Sequence, residues 1–245
     1  MFPLKDNIPT LRFPAVTVAL IAINVAAYFL WQRGTFGDQT HFECNLYDYG
    51  FIPRELTEGG QVADPDPTHP CAEPEAPTVL TVFTAMFMHG GLLHLGGNML
   101  FLWIFGNNVE DSMGRVRFVV FYLLGGIAAT ALQLAIDPDS TVPNIGASGA
   151  IAGVLGGYIL LFPRARIITL ILIVFFFTFV ELPAMLVLGI WFVEQALFGY
   201  FDLTGPAEGG GVAYFAHIGG FAFGLAAIKL FADERKQRAQ LEARL

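Results

Sequence analysis

Three stretches of this sequence set reactive or hydrogen-bonding side chains inside otherwise apolar surroundings. Met88-His89-Gly90-Gly91-Leu92-Leu93-His94-Leu95-Gly96-Gly97-Asn98 carries two histidines and an asparagine. On a helix His94 and Asn98 are four apart and share a face. Donors on one face can hold an anion or a developing oxyanion, and they serve equally well in a helix-to-helix hydrogen bond. Gly146-Ala147-Ser148-Gly149 opens a second apolar run, with Gly153, Gly156 and Gly157 following along it. A serine at a helix start reads as an N-cap, or as a nucleophile beside the free backbone N–H groups that an oxyanion hole requires. Ala216-His217-Ile218-Gly219-Gly220 opens a third, where Gly220 and Gly224 form a Gly-x-x-x-Gly face suited to close helix packing. His217 reads as a structural group, part of a proton path, or a general base. Glu194 stands alone in a further apolar run, as a structural or gating residue or as an orienting partner for His217.

Such groups inform because burying them among apolar residues is costly, and the composition makes those surroundings a membrane. Of the 245 residues 55% are hydrophobic and 14% charged, against about 25% charged in an ordinary soluble domain, and the mean hydropathy is +0.59. Intrinsic disorder is excluded by that apolar content. The net charge of −8 argues against a phosphate-neutralising surface, so no nucleic-acid partner is expected. The 24 Phe and 27 Gly suit a bundle of closely packed membrane helices.

A spanning helix needs about 20 apolar residues, since lipid satisfies no backbone polar group. Pro14–Trp31, Leu92–Phe105, Phe118–Ile136, Ala147–Phe162 and Val212–Phe231 qualify, the second and fourth being short. The run Ile167–Tyr200 is too long for one span and is expected to break at Glu181-Leu182-Pro183, because proline lacks the donor and suits a helix start. Pro183–Tyr200 then makes a sixth span. Ile167–Val180 reads as a short span, a re-entrant piece or an interfacial β-like segment. With six spans and both termini inside, 11 of the 13 basic residues fall inside and only Arg33 and Arg54 outside. A seventh span would turn the basic C-terminal cluster outward, so 167–180 is assigned as non-spanning.

The expected organisation is therefore a cytoplasmic segment 1–13, a membrane domain 14–231 with a long outer loop at about 32–79, and a charged cytoplasmic tail 232–245. The outer loop holds nine acidic residues and both cysteines, Cys44 and Cys71, whose oxidising compartment makes a disulfide between them a hypothesis. In this topology Ser148, His217, His94 and Asn98 lie at one depth near the outer side, a constellation that favours nucleophilic acyl transfer. A proton or ion transporter built on the same histidines and Glu194 is a lesser rival; transporters commonly carry internal repeats, and none is evident. A metal site from these histidines is a weaker rival.

These motifs, in this order, resemble the rhomboid intramembrane serine proteases, bacterial type, over roughly residues 80–230. The resemblance implies an all-α, six-helix polytopic bundle in the inner membrane, and a serine-type endopeptidase that cuts transmembrane-helix substrates near the outer face. It makes Ser148 the nucleophile and His217 its base in a dyad without an acidic member. Asn98, His94 and the Ser148 backbone N–H would hold the oxyanion, with His89, Gly146, Gly149, Gly220 and Gly224 structural around them. No cofactor and no metal are implied, and the partners are membrane-protein substrates and the bilayer; the leading alternative is a catalytically silent member of the same fold that binds and retains membrane clients. Two departures stand out. Tyr49-Gly50-Phe51-Ile52-Pro53-Arg54 stands where some members carry a Trp-Arg pair in the first outer loop, and Ala152 stands where some place a tyrosine one turn after the serine, so other groups must position His217.

Overall fold

A computed structural model describes residues 1–32, 39–59, 76–173, 176–204 and 212–244. Strand β1 (Phe2–Asp6) precedes helix α1 (Ala15–Ala26), which continues through a π-helical segment, Ala27–Gln32. Helices α2 (Gln39–Tyr49) and α3 (Pro53–Thr57) belong to the long loop that follows the first apolar run, and α4 (Thr78–Thr84) leads into the histidine stretch. Helix α5 (Leu92–Phe101) passes through a π segment (Leu102–Gly106) into α6 (Asn107–Met113), and is followed by α7 (Arg115–Ile136) and α8 (Ser148–Leu161). Strands β2 (Arg166–Ile173) and β3 (Phe176–Pro183), then α9 (Ala184–Thr204), α10 (Tyr214–Phe231) and α11 (Glu234–Ala243), complete the order.

The chain is mostly helical and polytopic, as expected. Among the described residues four helices are long and apolar enough to cross a membrane: Ala15–Gln32, Arg115–Ile136, Ala184–Thr204 and Tyr214–Phe231. Thr78–Phe87 and Leu92–Met113 pass that test together but meet at a 79° bend, and Ser148–Leu161 is shorter. The bend falls at His89-Gly90-Gly91, where consecutive glycines give the chain no reason to stay helical. Helix α8 can be short because it is the centre of the bundle. Residues 149–158 of it are all buried, so its ends meet protein rather than lipid.

The all-α expectation needs one addition. Arg166–Ile173 and Phe176–Pro183 are strands rather than helix: β2 and β3 pair as a hairpin and β1 adds to β2, giving an antiparallel sheet in the order β1-β2-β3. The run of Ile, Val, Thr and Phe favours extended backbone, and Pro183 ends β3 where α9 begins. The span break expected at Glu181-Leu182-Pro183 is thus observed.

The long loop after the first apolar run is pinned to the core through its apolar centre. Phe51 and Ile52 are buried, the backbones of Phe51 and Asn144 exchange hydrogen bonds of 3.0 and 2.8 Å, and the Arg54 N–H donates to Ser140 O at 3.1 Å. The stretch that departs from the Trp-Arg pattern therefore clasps the loop that precedes Ser148. Cys44 is disulfide-bonded; Cys71 lies outside the described residues. On the opposite side, Asp6 accepts from Asn108 Nδ2 at 2.6 Å and from Tyr158 OH at 2.5 Å. Gln240 of α11 donates to Asn108 O at 3.3 Å. The two terminal segments thus close over the base of α8.

Candidate active site

Ser148 is the first residue of α8, and the helix has no side-chain cap. The serine hydroxyl is used elsewhere: its Oγ lies 2.8 Å from His217 Nε2. The amides of the first turn have no intrahelical acceptor by the geometry of any helix start, so N–H donors and the dipole's positive end face the hydroxyl's surroundings.

Two helices must approach closely for that bond to form, and glycine permits it. A Cβ at Gly220 would stand 2.0 Å from Gly149 O, and one at Gly224 2.0 Å from Gly153 O. Glycine is also the answer on α8, where a Cβ at Gly149 would meet Ala129 Cβ of α7 at 2.6 Å. Helices α8 and α10 are in backbone contact along this stripe, which fixes the distance from Ser148 to His217.

His217 is 9% exposed and held from three sides. Its Nε2 meets the serine, its Nδ1 lies 2.7 Å from Gln195 Oε1 of α9, and the Trp191 ring lies 5.8 Å away, tilted by 38°. Since the amide oxygen can only accept, Nδ1 carries the proton and Nε2 offers its lone pair to the Ser148 O–H. Gln195, itself buried, is the residue at this site that motif reading passed over. Glu194 is not the orienting partner: one step along a helix turns a side chain by about 100°, and Glu194 is exposed while Gln195 faces the histidine. A polar residue four positions after Trp191 in an apolar run was the available signal.

The stretch from Met88 to Asn98 supplies donors to the same cavity. Ser148, His217, His94 and Asn98 all line one cleft of about 570 Å³, with apolar walls that include Phe101 and Trp191. The Gly90 N–H donates to His94 Nδ1 at 3.2 Å, which leaves Nε2 as the proton-bearing nitrogen. Gly146 adopts φ +124°, and a Cβ there would stand 2.8 Å from His94 Nε2 and 3.4 Å from Ser148 Oγ. Only glycine both tolerates that backbone and lets His94 come this close to the serine. Asn98 is 7% exposed and its Nδ2 has no partner, a buried donor aimed at nothing the protein supplies.

His89 lies behind this cleft. It is fully buried, its ring stands 5.1 Å from that of His94 in edge-on contact, and neither ring nitrogen has a protein partner. Its backbone is gripped by Gln32, whose Nε2 donates to His89 O at 2.7 Å and whose Oε1 accepts from His89 N at 2.9 Å. The end of the α1 segment thereby anchors the bend from which α5 starts.

The chain matches the Rhomboid domain family over residues 76–234. It is 29% identical over 236 residues to Rhomboid protein 1, mitochondrial, of Saccharomyces cerevisiae, covering 92% of this chain and 57% of the yeast protein. It is 36% identical over 143 residues to Rhomboid protease GluP of Bacillus subtilis, covering 58% of this chain and 24% of that protein. It is 33% identical over 94 residues to Presenilin-associated rhomboid-like protein, mitochondrial, of Mus musculus, covering 38% of this chain and 25% of that protein. The chain spans less than two thirds of the length of each of these relatives.

Proposed function

The chain belongs to the rhomboid family, and from that premise we propose that it is an intramembrane serine endopeptidase acting through Ser148 and His217. The observation that carries the reading is the 2.8 Å contact between Ser148 Oγ and His217 Nε2, made inside the bundle rather than at its surface. A serine hydroxyl is a weak nucleophile until a base takes its proton, and a base held in the right tautomer is what this contact supplies.

In the proposed reaction His217 Nε2 removes the hydroxyl proton as Oγ attacks the scissile carbonyl, then delivers it to the leaving amine. The oxyanion is held by the Ser148 N–H, His94 Nε2–H and Asn98 Nδ2–H. Water then attacks the acyl-enzyme with His217 again as base, and the amino-side product leaves as a free acid. Gln195 orients the imidazole through Nδ1 as a neutral acceptor, where other serine hydrolases use a carboxylate. His89, Gly146, Gly149, Gly220 and Gly224 hold the geometry without touching substrate.

Substrates are transmembrane segments, and the cleft is where they unwind. A helix in lipid hides its carbonyls in its own hydrogen bonds, so attack requires a polar cavity beside the bilayer in which a few residues can become extended. The proposed topology has six crossings, with α5–α6 and α8 joining the four long helices. It has both termini cytoplasmic, because 11 of 13 basic residues then lie inside, and the inner membrane is the proposed location.

The test is labelling by a fluorophosphonate probe in detergent and in lipid, comparing wild type with Ser148→Ala and His217→Ala. Labelling of wild type that is lost in both variants is the expected result. No labelling of a folded wild type in either medium overturns the proteolytic reading in favour of a silent member that retains membrane clients.

A further inference from the structure

The β2–β3 hairpin has a base and a distal half of different character. At the base Ile167 and Thr169 are fully buried against the bundle, and Arg166 Nη1 meets Glu181 Oε2 at 3.3 Å in an exposed ion pair. Between these two charges there are none: residues 167–180 are Ile, Thr, Leu, Val and Phe only. In the distal half Leu172 and Ile173 are each 58% exposed, and Phe176, Phe177 and Phe179 are 79%, 68% and 59% exposed.

Successive residues of a strand point to opposite faces, so Phe176 and Phe177 expose large apolar groups on both sides of the hairpin. A half-buried strand alternates apolar with polar residues; one apolar on both faces belongs where both faces are covered. Nothing in the described residues covers either. A soluble protein guards such an edge with charges, lysine above all, or with proline, and β3 has no charge from Phe176 to Val180.

We infer that the distal half of this hairpin is a membrane wing, inserted into the headgroup–acyl boundary of the leaflet on the side of β1 and α11. Lipid fits better than a protein partner because it covers both faces at once, whereas a docked chain covers one. The lipid-facing surface is also continuous with it. Helix α9 starts at the residue after β3 and exposes Met185 and Leu186, 58% and 47%, next in sequence. Depth is bounded from both directions. The charged Arg166–Glu181 base stays in water, and the unpaired backbone edge of β3 keeps the strand within reach of interfacial water, since an open edge is not tolerated in the hydrocarbon core. Aromatic side chains suit that boundary, as in interfacial elements generally. The inference is independent of the proteolytic reading.

The test places an environment-sensitive fluorophore on Thr178→Cys and, separately, on Phe177→Cys, the two faces of one strand, with Arg238→Cys on α11 as the aqueous control. The full chain is reconstituted in phosphatidylethanolamine–phosphatidylglycerol vesicles. Expected are blue-shifted emission at both hairpin positions, iodide quenching several-fold weaker than at Arg238→Cys, and stronger quenching by lipids carrying a nitroxide high on the chain than by those carrying it near the end. Iodide access at both positions equal to the control overturns the inference. Protection of one face only, with cross-linking between Phe177→Cys copies, also overturns it and assigns the hairpin to a second copy of the chain. Thr178 is a small exposed residue, so the first variant leaves the packed base untouched.

Discussion

Replacing Gln195 by leucine removes the acceptor of His217 Nδ1 and keeps the approximate volume of the side chain. The Nδ1–H is then stranded beside a leucine in a site where the histidine is 9% exposed, so water does not replace the 2.7 Å bond. Stranding a buried donor costs about 1–3 kcal/mol, and the imidazole escapes that cost by rotating or by moving its proton to Nε2. Either change withdraws the lone pair from Ser148. At 1.36 kcal/mol per factor of ten, the loss is about 5- to 150-fold in kcat. It falls below the roughly 10⁴-fold loss known when a triad carboxylate becomes an amide, because a neutral glutamine has no charge to withdraw from the imidazolium. The assay is turnover of a transmembrane substrate in proteoliposomes, paired with the rate of fluorophosphonate labelling. KM is expected to hold while kcat and the labelling rate fall together, and Gln195→Glu, which restores an acceptor at the same reach, should recover most of both. A Gln195→Leu enzyme within twofold of wild type in both rates would refute the orienting role. So would a loss that Gln195→Glu fails to recover while the thermal transition stays unchanged.

Other perturbations separate the chemistry from the scaffold. Asn98→Ala should lower kcat by about 10²- to 10³-fold if Nδ2 is an oxyanion donor, yet leave the thermal transition nearly unmoved, because that donor has no protein partner to lose. Gly220→Ala and Gly224→Ala should each abolish labelling and lower the transition, since the new Cβ would fall 2.0 Å from a carbonyl oxygen of α8 and backbone cannot yield as a side chain does. Burial pushes the Asp6 carboxyl up to about 6 from 3.8. A raised folded-state value means that stability is fully present below about pH 4 and is lost as pH climbs through about 6, by about 3 kcal/mol in all. Asp6→Asn, which cannot ionise, should flatten that dependence in thermal scans between pH 4.5 and 7.5 and should be the more stable protein at the upper end.

Membership of a membrane class, the number of apolar runs and the serine and histidine that the fold brings to 2.8 Å of each other could all be read from the linear chain. Each depends on quantities a sequence displays directly: the length of an uncharged run set against bilayer thickness, the position of basic residues, and a serine and a histidine each opening such a run. The ends of most spans fall within three residues of those expected, and Glu181-Leu182-Pro183 ends an element because proline acts through its own backbone. Local chemistry also limited the reading of 167–182, where β-branched and aromatic residues favour strand but span length alone leaves three possibilities open.

Tertiary structure alone decided which neighbour of an apolar helix turns inward. Glu194 and Gln195 are adjacent in sequence, and the charged one is the more conspicuous. The rotation of α9 about its axis, set by Trp191 and Phe192 packing near Phe221, brings the amide rather than the carboxylate to His217. The glycines of α8 and α10 could be recognised as small, but which carbonyl each one faces depends on the register between two helices far apart in the chain. The same holds for Gln32 gripping His89 and for Phe51 clasping Asn144, contacts 57 and 93 residues apart. Spacing along a chain specifies which side chains share a face, whereas the depth, facing and mutual distance of separate faces arise only when every helix packs against the others at once.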